Sequence, residues 1–532
     1  MDAPRGYGYN GRMTPTETYQ TRSARFAQQR DSYTSRWNQI GNIRLLTFVA
    51  AATAGGVAIW RNLPLAGIVA AGLLVAFVAL VRHHRRLGRE RRRYTVLYQI
   101  NDEAAKRLAR DWEHVPLRHT VQAPADHPYA ADLDIFGRAS LFHLLEAIST
   151  RTGETTLAGW LLAPAPPATV RERQPAVAEL APLIDLRDEL ALRGRLMGDP
   201  SPDPEPFLAW AESEPLLRRH ARLVWAGRIS VALLWGLLAA QLTGLTPHPI
   251  WLIFAAVNGV LARVLLPAVG TALESIAARE GAFAQYAESF ELLADAAFAA
   301  PLLRHIQSEL RAGDLTAHEQ MRRLHRRATL GFPHDSSLYI PIQILTLWDI
   351  QVLSALESWQ AVAGLRARSW VMALGEADAL ASLAVQAHDN PDWCFPTIGP
   401  EASALSATGL AHPLLQGTTR VANDVTVGPA GTFLLVTGSN MSGKSTLLRA
   451  VGVNLVLAGA GGPVCATTFA APPVALWTSM RIQDSLERGV SYFMAELQRL
   501  KAVVDATRDA PAGQTPFYLL DEILQGTNTA ER

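Results

Sequence analysis

The chain is short of charge, of cysteine and of lysine. Of its 532 residues, 18% are charged, against about 25% in ordinary soluble domains, which points to lipid as part of its surroundings. Basic and acidic residues nearly cancel, 49 against 48. That excludes bulk attraction to nucleic acid and leaves only local patches. The two cysteines, Cys394 and Cys465, exclude a disulfide scaffold and any multi-cysteine metal site. Lysine occurs at Lys106, Lys444 and Lys501 alone, which singles out each of them. No apolar run falls in the first stretch of the chain, so no cleaved signal peptide is expected. No repeat of about 20–50 residues is visible either.

Long apolar runs are what the chain does have. Residues 1–44 are polar and rich in Gly, Tyr and Arg, a composition expected to stay disordered. Leu45–Trp60 and Leu65–Val81 then read as a transmembrane hairpin over 45–81, broken at Arg61-Asn62-Leu63-Pro64. Each run is slightly short of the ~20 residues that cross a hydrocarbon core, and interfacial residues make up the rest. Arg22, Arg25, Arg30, Arg36 and Arg44 precede the hairpin, and seven arginines between Arg82 and Arg93 follow it. Both ends are therefore expected on the cytoplasmic side. The run at 82–93 abuts a membrane segment, which suits anionic lipid better than DNA.

A second hairpin is expected over 223–270, from Ile229–Leu245, a turn at Thr246-Pro247-His248-Pro249, and Ile250–Val269. Trp225, Trp235 and Trp251 suit the interfaces, while Asn258 and Arg263 weaken the last segment. The remainder before residue 390 reads as a helical core in two parts, 82–222 and 271–390. Phe283, Tyr286, Phe290, Leu293 and Ala297 recur at helical spacing, as do Val352, Leu356, Trp359 and Ala363; both stripes read as packing faces. Proline clusters at 164–167 and 200–206 separate helices. After Asn390-Pro391 the character changes. Strands are expected at Trp393–Phe395, Thr432–Val436 and Thr515–Leu520, which makes 391–532 an α/β nucleotide-binding domain.

The chemistry concentrates there. Gly438-Ser439-Asn440-Met441-Ser442-Gly443-Lys444-Ser445 is G-x-x-x-x-G-K-S between an apolar strand and a helix, the context that makes a P-loop. Its glycines let backbone N–H groups close on phosphate oxygens, aided by the positive end of the following helix. Lys444 brings a compact charge to the β- and γ-phosphates, and Ser445 offers its hydroxyl to Mg²⁺. Downstream, Phe517-Tyr518-Leu519-Leu520 runs into Asp521-Glu522. Asp521 is expected in the magnesium shell, and Glu522 to orient or deprotonate the attacking water. Neighbours on a strand face opposite ways, so these two roles require the pair to sit at the strand's end.

Thr437-Gly438-Ser439-Asn440-Met441-Ser442-Gly443-Lys444-Ser445-Thr446 resembles the MutS mismatch-repair ATPases, whose loop is usually TGPNMGGKST; it departs at Ser439 and Ser442. His412-Pro413-Leu414-Leu415 and Asn423-Asp424-Val425 are similar to the segments ahead of that loop. Ser491-Tyr492-Phe493-Met494-Ala495-Glu496 resembles the family's S-x-F-M-x-E stretch, and Asp521–Asn528 its DE-x-x-x-GT run. The resemblance covers about 132–222 and 271–532, its first part being similar to the start of a helical lever. It implies ATP and Mg²⁺ as ligands, with the loop residues and Thr446 binding nucleotide. It also implies a homodimer through the ATPase domain in which Ser491 approaches the ATP of the opposite subunit. DNA enters as a partner by this resemblance only. None of the 16 phenylalanines is followed by Glu two positions later, so the F-x-E motif that reads mismatches is missing. The family's later strands, a His and a dimerisation element are not found before Arg532, and the C-terminal domain is read as incomplete.

The expected fold is thus an α/β P-loop NTPase C-terminal domain preceded by an all-α lever-like core with two transmembrane hairpins. The expected protein is a multi-pass inner-membrane ATPase with its catalytic domain in the cytoplasm. ATP-driven transport, or a scaffold with no DNA role, is the alternative. No LSGGQ-type signature is present, which weighs against transport.

Overall fold

A computed structural model describes residues 13–480 and 492–521, except 199, 278–279, 313–315, 334, 440–441 and 509–512. It divides into two units. The first comprises residues 1–117, 138–147 and 414–420; the second comprises 118–137, 148–413 and 421–532.

The first unit is built on two long helices, α1 (Pro15–Arg61) and α2 (Pro64–Leu108), with a short α3 (Leu141–Leu144). Helix α1 starts with a capping box between Thr14 and Glu17, which supplies partners to donors that the first turn leaves open. It stops where Asn62 adopts a left-handed conformation and Pro64, at the start of α2, cannot continue the helix. The expectation of disorder for 1–44 fails over Pro15–Arg44. Tyr19 and Phe26 are buried there, Tyr33 stacks on Tyr94 with ring centroids 5.4 Å apart, and Trp37 stacks on His84 at 4.5 Å. The polar composition hid a sparse aromatic stripe whose partner lies on α2. Beyond this stalk the faces of both helices turn apolar and exposed, as at Leu46, Ile59, Ile68 and Val75.

The second unit carries the helices α4 (Arg151–Leu162), α5 (Pro167–Leu180), α6 (Ile184–Met197), α7 (Glu205–Glu212), α8 (Leu216–Arg219), α9 (Ala221–Leu242) and α10 (Trp251–Ala277). It continues through α11 (Glu280–Asp295), α12 (Pro301–Arg311), α13 (Ala317–Ala328), α14 (Tyr339–Thr346) and α15 (Trp348–Asp389). Helix α15 is the axis of the helical part. The stripe Val352, Leu356, Trp359 and Ala363 is buried, as are Phe283, Tyr286, Phe290 and Leu293 of α11, whereas Ala297 lies past the end of α11 and is exposed. A buried carboxylate ties α15 to α4. Asp378 accepts from the N–H of Ser149 at 3.1 Å, and from the N–H and Oγ1 of Thr150 at 2.9 and 2.7 Å. Thr150 is also the N-cap of α4.

Among the described residues, α1, α2 and α9 are long and apolar enough to cross a membrane, and Trp251–Val264 of α10 is a shorter apolar stretch.

The remaining elements are β1 (Thr397–Ile398), β2 (Leu405–Leu410), β3 (Asn423–Val427), α16 (Lys444–Ala460), β4 (Thr468–Ala471), β5 (Val474–Ser479), α17 (Tyr492–Arg508) and β6 (Thr515–Leu520). Four strands form a mixed sheet in the order β1-β4-β2-β3, and β5 pairs in parallel with β6 from Val474↔Thr515 to Ser479↔Leu520. The strand expected at Thr515–Leu520 is β6. The strand expected at Trp393–Phe395 is reduced to a bridge between Cys394 and Val464, with β1 two residues further on. The strand expected at Thr432–Val436 does not form. Among the described strands none pairs with it, and Phe433 and Leu435 stand 85% and 73% exposed. β-propensity alone does not hold a strand without a neighbour to complete its hydrogen bonds.

Candidate functional site

Helix α16 is apolar on every side from Ala450 to Ala460, and it is buried throughout that stretch. Its one polar interior residue, Asn454, is fully used. The side-chain amide donates to the carbonyls of Ala411 and Ala450, and its oxygen accepts from the N–H of Cys465 at 2.6 Å. Gly452 lets the helix press onto β6, since a Cβ there would meet Leu519 Cδ1 at 2.8 Å and Leu133 Cδ2 at 2.7 Å.

The direction of α16 follows from its neighbours. A cavity of about 400 Å³ is lined by Leu455 and Gly459 from its C-terminal half, together with Val474, Gly513 and Gln514 at the starts of β5 and β6. Gly452, nearer the N-terminus, lies instead against Leu519 close to the end of β6. Helix α16 therefore runs antiparallel to the two strands. Its N-terminus and the residue after β6 share the C-terminal end of the sheet, where ligands of parallel α/β sheets bind. The proline-lined cavity is at the other end.

At the shared end, Lys444 is the first residue of α16 and Gly443 its N-cap, at φ 89°, a conformation that favours glycine. Gly443 has no side chain with which to cap the helix, so its first N–H groups are directed at the loop side. Ser442 N–H donates to the Ser439 carbonyl at 3.2 Å, and a Cβ on Gly438 would lie 2.9 Å from Ser442 Oγ. Lys444 Nζ donates to the carbonyls of Gly438 and Ser439, each at 2.8 Å. Gly438, Ser439, Ser442, Gly443, Ser445 and Thr446 are exposed and Lys444 half-buried. Asp521 directly follows β6, and its N–H donates to the Ser479 carbonyl at 3.0 Å. The acid thus stands where the strand has ended. Asn440, Met441, Ser491 and Glu522 lie outside the described residues.

Two networks brace this end, each joining residues far apart in the sequence. In one, Arg449 of α16 pairs with Asp134 at 3.2 Å. His412 lies beside them, and burial, reinforced by the Arg449 charge and opposed by Asp134, lowers its pKa to about 4. In the other, Asp132 accepts from Thr478 Oγ1 at 2.6 Å and from the Met480 N–H at 3.2 Å at the end of β5. Arg499 of α17 donates to the carbonyls of Thr478, His127 and Pro128. Partners hundreds of residues apart leave no local pattern to find.

Comparison with known proteins bears on this end of the chain. The family model for MutS domain V matches residues 434–532. The chain is 38% identical over 179 residues to the DNA mismatch repair protein MSH6 of Arabidopsis thaliana, covering 31% of this chain and 13% of that protein. It is 37% identical over 158 residues to the DNA mismatch repair protein MutS 1 of Haloarcula marismortui, covering 29% and 16%. These matches support membership of the MutS family. A third relative, the DNA mismatch repair protein MutS of Dinoroseobacter shibae, is 36% identical over 165 residues, or 30% of this chain and 18% of that protein. The matched stretches span less than a fifth of each of these MutS proteins. The lever-like resemblance of 132–222 falls outside the residues that the MutS family model covers.

Proposed function

We propose that this chain is a membrane-anchored MutS-like ATPase that binds and hydrolyses ATP at the loop 438–446. The observation that carries the reading is the common end of the sheet shared by Lys444 and Asp521, within a segment matched by MutS domain V. The loop residues Gly438, Ser439, Asn440, Met441, Ser442 and Gly443 would wrap the phosphates through backbone N–H groups, with Ser445 and Thr446 in the first helical turn. Lys444 would exchange two neutral carbonyls for phosphate oxygens, a gain because attraction between opposite charges replaces an ion–dipole bond.

The hydroxyl of Ser445 and the carboxylate of Asp521 are hard oxygen donors and fit Mg²⁺, which they would hold. When bound, that ion neutralises charge on the β- and γ-phosphate oxygens. Glu522 would orient or deprotonate the attacking water, and Ser491 would approach the nucleotide of a second copy in a homodimer. The relatives' place in DNA mismatch repair extends to this chain as a repair-linked role, without the F-x-E motif that reads a mismatch. Helices α1 and α2, and α9 with the apolar part of α10, would anchor it in the inner membrane as two hairpins, with flanking arginines keeping the ATPase cytoplasmic and near anionic lipid.

The test is Lys444→Ala in the full chain, with binding of a fluorescent ATP analogue as readout. Binding should disappear; affinity equal to that of the unaltered protein would remove the loop from this role.

A further inference from the structure

The second unit holds an apolar element that no hydropathy pattern singled out. Helix α14 is short, Tyr-Ile-Pro-Ile-Gln-Ile-Leu-Thr, and meets α15 at a bend of 70° where Leu347 adopts a left-handed conformation. A helix that ends this way leaves its last carbonyls without backbone donors. Two of them are taken up by the apolar helices beside it. Asn258 of α10 donates through Nδ2 to the Ile344 carbonyl at 2.9 Å, and Trp235 of α9 donates through Nε1 to the Leu345 carbonyl at 3.1 Å. These two donors sit mid-way along their apolar segments, each about eleven residues from the centre of the turn joining α9 to α10, so that Trp235 serves as a donor to α14 and not at the interface expected for it. Leu347 packs so closely on α9 that a Cβ at Gly227 would meet its Cδ1 at 2.8 Å.

The outward face of this element is apolar. Leu338 and Ile340 are 60% and 67% exposed, and Ile253 and Val257 on α10 and Leu233 on α9 are exposed too. Just before it, α13 presents Arg322, Arg323 and Arg326 to solvent, the arrangement expected where a chain meets phosphate headgroups. A broken helix enters hydrocarbon only if its freed backbone groups find partners within the protein. The Asn258 and Trp235 bonds meet that condition for the Ile344 and Leu345 carbonyls, and they give Asn258 a reason to be in the otherwise apolar stretch Trp251–Ala262.

We propose that Tyr339–Thr346 is a further membrane element, a re-entrant helix seated on α9 and α10 with Leu338 and Ile340 against lipid acyl chains. This rests on the reading that the chain is membrane-anchored. The test uses full chain carrying Cys394→Ser, reconstituted in vesicles of phosphatidylcholine and phosphatidylglycerol. An environment-sensitive fluorophore is attached at Ile340→Cys or, as reference, at Val75→Cys on α2. The label at 340 should lose most of its emission to a nitroxide borne on the lipid chain and little to aqueous iodide, as the label at 75 should. Lipid quenching at 75 with iodide quenching at 340 would overturn the re-entrant helix and leave the anchor standing. Iodide quenching at both positions would overturn the anchor, and this inference with it.

Discussion

Lowering the pH from near 7.5 to near 5 should destabilise the protein partly through His412, and His412→Gln should abolish that part. The imidazole is held in a folded environment whose burial and neighbouring Arg449 outweigh the Asp134 carboxylate, and its pKa falls from 6.5 to about 4. Below pH 6.5 the unfolded chain takes up a proton that the folded protein refuses until about pH 4. Stability is therefore lost as pH falls through that window, and nothing changes above it. One pKa unit corresponds to about 1.4 kcal/mol, so linkage amounts to about 2 kcal/mol by pH 5 and about 3 kcal/mol across the whole window. Urea unfolding of the purified full chain, followed by tryptophan fluorescence at both pH values, reads this directly. The variant should lose about 2 kcal/mol less than the unaltered protein on acidification. Equal losses in the two proteins would show that His412 does not stay neutral in the fold, and the reading that burial and the Arg449 charge hold it so would have to be abandoned.

Gly452→Val should push α16 off β6, because even a Cβ would stand under 3 Å from Leu133 and Leu519. Overpacking of this kind costs about 1–3 kcal/mol, read as a lower melting temperature together with weaker ATP-analogue binding. Asp378→Ala should leave the buried donors of Ser149 and Thr150 without their acceptor, a loss of about 3 kcal/mol in urea unfolding. Asp378→Asn, which keeps one acceptor oxygen, should lose less. Glu522→Gln should keep ATP bound while phosphate release slows by about 100-fold or more; turnover at the normal rate would take Glu522 out of its assigned role.

The loop proposed to bind nucleotide was legible because its requirements are local. G-x-x-x-x-G-K-S needs only glycines that permit a tight turn, one lysine and one hydroxyl, all within a few residues of the start of a helix. Long-range packing was not needed to recognise β6 either: the run Phe517–Leu520 ending in Asp521 marks strand and strand end by hydropathy alone. The apolar stretches within α1, α2 and α9 were equally open to reading, since length and hydropathy are sums along the chain.

What could not be read along the chain is what depends on a partner. Thr432–Val436 has the composition of a strand, yet none of the described strands pairs with it. Residues 15–44 look too polar to fold, yet they are helical because Tyr19, Phe26, Tyr33 and Trp37 find their packing on α2. The braces Asp132–Thr478, Asp134–Arg449 and Asp378–Thr150 join residues that no spacing rule connects. The sequence by itself determined which residues carry the pattern of a phosphate-binding loop and which stretches are long and apolar enough to cross a membrane, because both properties reside in short runs of side chains. Only the tertiary structure decided that α16 runs against β6, bringing Lys444 and Asp521 to one end of the sheet, and that α14 lies on α9 and α10. Direction and contact between distant segments are set by packing in three dimensions, which local sequence does not encode.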